Sequence, residues 1–143
     1  KKMRDMGYRI VVVTTQAGIG LGYYTKEDFY KVNKKMLAEV SKAGITIDRI
    51  YFCPHNKADK CVCRKPEPGL ILRAKKDLNL DLSKSYFIGD RITDIQAGQR
   101  AGTKTILVKT GHDDCAANPD IKPDFTADNL LAAADYILRV ERK

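Results

Sequence analysis

The sequence lacks any long hydrophobic run, low-complexity tract or internal repeat. A run such as Ile10 to Val13 is far shorter than the roughly 20 apolar residues that a membrane-spanning helix requires. The chain also opens without the charged segment followed by an apolar one that is typical of secretory signals. These absences predict a soluble protein with no membrane partner.

Cysteine is scarce outside one short stretch. Three of the four cysteines lie between residues 53 and 63, and Cys115 stands apart in another predicted loop, where we expect no function for it. This distribution does not match the disulfide framework of a small secreted domain. We therefore expect a cytoplasmic protein.

The length of 143 residues is the usual size of one domain, which we assign to residues 1–143. The formal net charge of +8 suits an anionic ligand. Because the basic residues are spread along predicted helix faces, as in Lys34-Lys35 and Lys75-Lys76, we expect no nucleic acid partner. A monomer that binds a small phosphorylated molecule fits this charge distribution better.

Apolar runs rich in β-branched residues alternate with amphipathic segments. The predicted strands are 8–14, 47–53, 85–90 and 104–110, and the predicted helices are 25–44, 68–80, 93–102 and 128–143. We expect the first strand to be buried on both faces, Thr25 to cap the first of these helices and Asp128 to cap the last. Such alternation predicts an α/β fold, in which a mostly parallel sheet lies between two layers of helices.

Polar segments follow three of the predicted strands. They read "TTQAGIGLG" after the first, "CPHNKADKCVCRKP" at the end of the second and "GDRITD" at the end of the third. Ligands of such sheets bind where the carboxyl ends of the strands meet. We therefore expect these three segments to converge on one edge.

The second segment has the composition of a metal site. Cys53, His55, Cys61 and Cys63 provide four nitrogen and sulfur ligands in two tight pairs, as a tetrahedral structural zinc site requires. A redox pair of Cys61 and Cys63, or an accidental cluster, leaves His55 unexplained. We predict that the loop 53–63 binds Zn²⁺, and that a closed set of four ligands shapes the loop without doing chemistry.

The other two segments are weaker signals when each is taken alone. Asp90 and Asp94 can serve Mg²⁺ through carboxylate oxygens and water, but an acidic residue at a helix start also favours the helix dipole. Thr14 can be an ordinary strand residue. The glycines of the first segment, Gly18 among them, allow a tight backbone near an anion but are also common in turns. The cations that follow the zinc loop, Arg64 and Lys65, can be solvated surface residues.

Taken together, a hydroxyl after a strand, a lysine and then Gly-Asp-x-x-x-Asp resemble the second to fourth motifs of the haloacid dehalogenase (HAD) superfamily of phosphatases. The segments quoted above, in this order and with the zinc loop, are similar to the branch that contains the heptose 1,7-bisphosphate phosphatases and the histidinol-phosphate phosphatases. The resemblance extends over nearly the whole chain. It implies an HAD-like α/β/α sandwich without a large cap domain.

The resemblance also implies roles for single residues. Thr14 would bind the transferring phosphoryl group, and Lys65 would neutralise it and orient the nucleophile. Asp90 would be a Mg²⁺ ligand, and Asp94 would support it without binding the ion directly. The substrate would be held by a further group of residues, namely Thr15, Gln16, Gly18 and Arg64 together with Thr14 and Lys65. The implied reaction removes the 7-phosphate of a sugar bisphosphate through an aspartyl-phosphate intermediate, as part of carbohydrate metabolism and lipopolysaccharide precursor synthesis.

Two features depart from the superfamily pattern. Thr15 stands where the family usually has Asn, which could alter a substrate contact. The Asp-x-Asp motif that supplies the superfamily's nucleophile and general acid occurs nowhere in the chain. The opening residues 1–10 are typical of the end of a helix that leads into a strand. We therefore expect a strand and a helix bearing Asp-x-Asp to be missing from the front, and the 143-residue chain alone to be inactive.

Several functions remain open from the sequence. The first is a sugar-bisphosphate phosphatase, with heptose 1,7-bisphosphate favoured over histidinol phosphate because the chain resembles a stand-alone phosphatase. A second is a non-catalytic relative that binds phosphorylated ligands. A third is a nucleic-acid 3′-phosphatase on the same fold, suggested by the basic charge but opposed by the zinc loop and by the few aromatic residues in the site segments.

Overall fold

The computed structural model describes residues 1–111 and 118–142. Its strands are β1 (Val11–Thr15), β2 (Arg49–Cys53), β3 (Tyr86–Gly89), β4 (Lys104–Val108) and β5 (Phe125–Ala127). Its helices are α1 (Lys2–Asp5), α2 (Ala17–Gly20), α3 (Lys26–Lys42), α4 (Gly69–Leu78), α5 (Ile92–Ala101) and α6 (Leu130–Glu141). Among these described residues, no helix has both the length and the apolar character that crossing a membrane demands.

The strands pair in two parallel sheets, one in each of two units of the chain, Lys1–Arg64 and Lys65–Lys143. In the first unit β1 pairs with β2, and Val13 lies opposite Tyr51. In the second unit β4 lies between β3 and β5. The parallel pairing and the alternation of strands with helices confirm the predicted α/β fold.

Helix α3 covers the sheet of the first unit. Its start is fixed by Thr25, whose hydroxyl accepts from the Asp28 N–H while the Asp28 carboxylate accepts from the Thr25 N–H. The helix ends before Gly44, which has a φ of +76°. Phe29 of α3 is buried against Phe52 of β2, with 4.8 Å between the ring centroids. The predicted helix over 25–44 and its cap are confirmed.

The valines of β1 are only half-buried. The expectation of burial on both faces was wrong, since every residue of β1 is partly exposed. Among the described residues, β1 pairs with β2 alone. The strand also begins at Val11 instead of Tyr8. Ile10 is the residue before β1, and its backbone N–H donates a hydrogen bond to the Asp48 carboxylate at 2.7 Å.

The core of the second unit lies between β4 and the helices α5 and α6. Its fully buried members are Ile95, Ala97, Ile106, Ala133 and Ile137. The backbone of α5 lies close to the sheet at Gly98, where an added Cβ would overlap Phe87 and Thr105. This close approach requires glycine.

Two local features of the second unit differ from expectation. Strand β5 was not predicted, because three residues are too short to show a periodicity; its Phe125 stacks on Tyr136 of α6 with 3.8 Å between ring centroids. Helix α6 is capped by Asn129, whose side chain accepts from the Ala132 N–H at 2.8 Å. Asp128 was the wrong cap, since its carboxylate instead lies 3.8 Å from the Lys109 ammonium.

Candidate functional site

The four predicted zinc ligands lie together in the first unit. Cys53 ends β2 and is fully buried, while the other three follow in the loop. The sulfur atoms of Cys53, Cys61 and Cys63 lie 3.1 to 3.4 Å apart. Nδ1 of His55 lies 3.5 Å from the Cys53 sulfur and 3.3 Å from the Cys63 sulfur. All four ligand atoms lie within 4.8 Å of one another.

This geometry fits a zinc ion. Zinc bonds of about 2.3 Å to sulfur and about 2.0 Å to nitrogen place tetrahedral ligand atoms roughly 3.5–3.8 Å apart. The observed spacings are slightly shorter, so a small outward shift of the side chains would accommodate the ion. A metal site needs at least three His, Cys, Asp or Glu side chains close together. Across residues 1–111 and 118–142, this cluster is the only such group. Cys115 lies outside the described residues.

The loop between the ligands is held by polar contacts. Oδ1 of Asn56 accepts from the Ala58 N–H at 2.8 Å, and the Asp59 carboxylate accepts from the Asn56 N–H at 2.9 Å. These bonds cap a short 3₁₀ turn, Lys57–Asp59, in which no residue is buried. A bound metal would therefore be the main cross-link across it.

The three thiols have unequal pKa values. Burial and the neighbouring thiols raise the pKa of Cys63 to about 12, and burial raises the pKa of Cys53 as well. At Cys61 the effect of burial is outweighed by hydrogen bonds from the Cys53 and Cys63 thiols, which lower the pKa to about 7. Because zinc binds thiolates, an incoming ion must displace protons from Cys53 and Cys63 at neutral pH.

The turn after β1 is bonded to the start of the metal loop. The Gln16 N–H donates to the Cys53 carbonyl at 2.8 Å, and the Gly20 N–H donates to the Pro54 carbonyl at 2.8 Å. A Cβ at Gly20 would overlap the Pro54 oxygen, so this contact depends on glycine. This segment was expected to be a loop, whereas residues Ala17–Gly20 form the single helical turn α2.

Thr14 belongs to a chain of hydrogen bonds in this turn. Nε2 of Gln16 donates to the Thr14 hydroxyl at 2.9 Å, and the Tyr24 hydroxyl donates to Oε1 of Gln16 at 2.5 Å. The Tyr24 ring lies against Gly18, where a Cβ would overlap it. Thr15 is paired opposite Cys53. The hydroxyl and amide groups expected to contact a phosphate are thus fixed by neighbouring side chains.

In the second unit, Lys65 and Asp94 form a buried ion pair. The Lys65 ammonium lies 2.5 Å from Oδ1 of Asp94, and the side chains are 16% and 6% exposed. Oδ2 of Asp94 accepts from the backbone N–H groups of Asp90 at 3.2 Å and Arg91 at 3.1 Å. Both carboxylate oxygens of Asp94 are therefore already engaged.

Asp90 lies just past β3, at the carboxyl end of that strand. Its carboxylate lies against Gly111, which follows β4, and a Cβ at Gly111 would overlap it. A Cβ at Gly89 would likewise overlap the carboxylate of Asp94. The two glycines allow both carboxylates to lie tightly against the backbone at this end of β3.

Arg64 carries an unusual guanidinium. Its Nη1 is buried and has no hydrogen-bond partner within the described residues. A buried cationic donor without a partner costs free energy, and an anionic ligand would satisfy it. This fits the anion-binding role expected of Arg64.

The family follows from comparison with known proteins. Residues 62–133 match the HAD-hydrolase-like family. A D-glycero-β-D-manno-heptose-1,7-bisphosphate 7-phosphatase of Yersinia pestis is 40% identical over 147 residues, covering 96% of this chain and 71% of that protein. The chain belongs to the HAD-hydrolase-like family. The predicted resemblance is thereby confirmed.

Other relatives of this HAD-like chain carry similar names. A 7-phosphatase of the same description from Pasteurella multocida is 41% identical over 118 residues, covering 78% of this chain and 64% of that protein. Among solved structures, a D,D-heptose 1,7-bisphosphate phosphatase from B. bronchiseptica, complexed with magnesium and phosphate, matches with a TM-score of 0.90 and 28% identity. That match covers 97% of this chain and 79% of the other. The chain thus spans about two thirds to four fifths of these relatives.

The predicted site residues of this HAD-like chain fall in both units. The first unit contains Thr14, Thr15, Gln16, Gly18, Arg64 and the four metal-cluster residues, and the second contains Lys65, Asp90 and Asp94. Within the units, the structure brings the Cys and His ligands together, joins Thr14 to Gln16, and joins Lys65 to Asp94. The roles of these residues in binding and catalysis stay predictions.

Sequence reasoning missed the contribution of Tyr24 and of Gly89. Nothing in the pattern "GLGYYT" distinguishes an aromatic ring that reaches back to Gln16 from one that faces solvent. Gly89 had a signal, because a glycine between an apolar strand and an aspartate is typical of a close backbone approach.

Proposed function

We propose that the protein is a phosphatase that removes the 7-phosphate of D-glycero-D-manno-heptose 1,7-bisphosphate. The observation that carries this proposal is the 40% identity to a 7-phosphatase over 96% of the chain. Features within each unit support the reaction class. The first unit offers the Thr14 hydroxyl and the Arg64 guanidinium, which suit phosphate, and the second offers the Lys65 ammonium and the strand-end carboxylate of Asp90, which suits Mg²⁺.

The proposed reaction is a two-step transfer of the phosphoryl group. An aspartate carboxylate attacks phosphorus, the bond from phosphorus to the sugar oxygen breaks, and a second aspartate protonates the leaving oxygen. Water then hydrolyses the aspartyl-phosphate, which releases phosphate and restores the carboxylate. The two aspartates come from an Asp-x-Asp segment outside these 143 residues.

Thr14 and Lys65 are the proposed catalytic residues within this chain. The Thr14 hydroxyl donates a hydrogen bond to an oxygen of the transferring group. The Lys65 ammonium, held by Asp94 at 2.5 Å, stabilises the negative charge on that group and orients the nucleophile. Thr15, Gln16, Gly18 and Arg64 hold the rest of the substrate, and the unpartnered Nη1 of Arg64 supports its role.

Asp90 is the proposed Mg²⁺ ligand. A magnesium site commonly uses one or two carboxylates together with water and a substrate phosphate, so the single carboxylate of Asp90 fits as part of such a site. Asp94 does not bind the ion directly, since its two oxygens are engaged by Lys65 and by backbone N–H groups; it holds the backbone of Asp90 instead. Bound Mg²⁺ would neutralise charge on the phosphoryl oxygens.

Cys53, His55, Cys61 and Cys63 are the proposed zinc ligands. A bound zinc would fix the conformation of the loop 53–63. We propose a cytoplasmic location, where a reducing environment keeps such cysteine ligands available as thiols. We propose that the protein acts there as a monomer on a small phosphorylated sugar.

The substrate proposal is tested with the protein carrying its encoded upstream sequence. Phosphate release is measured from D-glycero-D-manno-heptose 1,7-bisphosphate, in both anomeric forms, and from histidinol phosphate. We expect kcat/KM for one heptose anomer to exceed that for histidinol phosphate by about tenfold or more, since contacts to the sugar and to the second phosphate are lost with histidinol phosphate. Equal or reversed preference would contradict the heptose assignment.

Zinc binding is tested by elemental analysis of protein purified without added metal. About one zinc per chain is expected, and Cys61→Ser should lose most of it because a tetrahedral site then lacks one ligand. The matched control is Ser41→Ala, an exposed position in α3, which should retain the metal. Purified protein that is free of zinc, with Cys61 and Cys63 joined in a disulfide, would contradict the proposal.

A further inference from the structure

We infer that Tyr24 is a positioning residue for the phosphatase reaction: its hydroxyl fixes the side-chain amide of Gln16, and that amide sets the direction in which the Thr14 hydroxyl donates. This inference rests on the proposed function, in which Thr14 contacts the transferring phosphoryl group. Tyr24 itself needs no contact with the substrate.

The atoms paired in the chain of hydrogen bonds identify the donors. Oε1 of Gln16 faces the Tyr24 hydroxyl, and an amide oxygen only accepts, so Tyr24 is the donor. The 2.9 Å between Nε2 of Gln16 and Oγ1 of Thr14 is a typical N–H···O distance. The amide therefore turns its oxygen to Tyr24 and its nitrogen to Thr14.

This orientation leaves the Thr14 proton available. A threonine hydroxyl has one proton and can accept two hydrogen bonds, and one acceptor position is used by Gln16. The proton can then be donated to a phosphoryl oxygen, which only accepts. If the amide were turned around, its oxygen would accept the Thr14 proton, and Thr14 would present lone pairs to the anionic phosphoryl group. That arrangement is repulsive.

Gln16 and Tyr24 are both anchored for this role. The backbone N–H of Gln16 donates to the Cys53 carbonyl at 2.8 Å, which fixes the position from which its side chain extends. The Tyr24 ring lies on Gly18 and is partly buried, and any larger residue at position 18 would displace it. The neighbouring Tyr23 is 78% exposed and therefore serves as a matched control.

The test is a double-mutant cycle in the protein carrying its encoded upstream sequence, with heptose bisphosphate and p-nitrophenyl phosphate as substrates. Tyr24→Phe removes only the hydroxyl and should lower kcat/KM about five- to tenfold, while Tyr23→Phe should leave it unchanged. Thr14→Val should lower it further. In the Thr14→Val background, Tyr24→Phe should have no additional effect, because there is no hydroxyl left to orient. Gln16→Met has no side-chain amide. In that background too, Tyr24→Phe should cause no further fall in kcat/KM.

The outcomes separate the inference from the proposed function. Additive effects of Tyr24→Phe and Thr14→Val, or equal losses in Tyr23→Phe and Tyr24→Phe, would show that Tyr24 acts through general packing and would overturn the inference. Unchanged kinetics in Tyr24→Phe would do the same. Release of phosphate from p-nitrophenyl phosphate but not from either heptose anomer would overturn the substrate proposal and leave the cycle measurable. A protein that hydrolyses no monoester overturns both.

Discussion

The 143-residue chain, expressed alone, is expected to release no detectable phosphate from heptose 1,7-bisphosphate or histidinol phosphate, even with millimolar Mg²⁺. It contains Thr14, Lys65 and Asp90 but no Asp-x-Asp motif, and so has no proposed nucleophile or general acid. Groups that stabilise charge accelerate hydrolysis only modestly without a nucleophile. The same residues preceded by their encoded upstream sequence should turn over at rates on the order of 1 s⁻¹ or more.

Both proteins are assayed for phosphate release at equal concentration. The control is the extended protein with the first aspartate of its Asp-x-Asp motif changed to Asn, which should be as inactive as the short chain. Comparable activity of the short and the extended protein would mean that a nucleophile lies within these 143 residues, and our assignment of the reaction would be wrong.

In the extended protein, Lys65→Ala and Asp90→Asn are each expected to lower kcat by about two orders of magnitude or more. Lys65 is proposed to stabilise negative charge that develops on the phosphoryl oxygens, and Asp90 to hold the Mg²⁺ that does the same. Because these interactions strengthen in the transition state, kcat should fall more than KM rises. Steady-state kinetics at saturating Mg²⁺ measures both parameters.

Asp94→Asn should reduce kcat less than either of these changes but should lower stability. It leaves the Lys65 ammonium, only 16% exposed, beside a neutral amide, at an expected cost of about 2–4 kcal/mol in the free energy of unfolding. Lys104→Ala and Glu141→Gln are the matched controls, since that pair is more exposed and lies at the opposite end of β4.

Wild-type turnover in Lys65→Ala or Asp90→Asn would show that the motif was misassigned.

Much of the fold was predictable because its signals are local. The cap residue Thr25, the glycine after α3 and the β-branched runs of the strands are each recognised within a few residues. The cysteine cluster was predictable for a similar reason, since spacing alone brings Cys61 and Cys63 close and the end of a strand supplies Cys53 and His55. The HAD resemblance then assigned roles that spacing could not.

The features that were missed depend on contacts distant in sequence or too short for a pattern. Strand β5 has three residues and is defined by its pairing with β4. The ion pair of Lys65 and Asp94 joins residues from separate motifs, so only the structure shows that both oxygens of Asp94 are engaged.

The bonds between the turn after β1 and the metal loop bear on how substrate preference can be exchanged between relatives. Gln16 and Gly20 donate to the carbonyls of Cys53 and Pro54, and the fit at Gly20 leaves no room for a side chain. A chimera that takes only the loop 53–63 from another phosphatase inherits carbonyls placed for a different turn. Residues 14–24 and 53–63 therefore have to be transplanted together, and for protein engineering they form a single module although 28 residues separate them in the sequence.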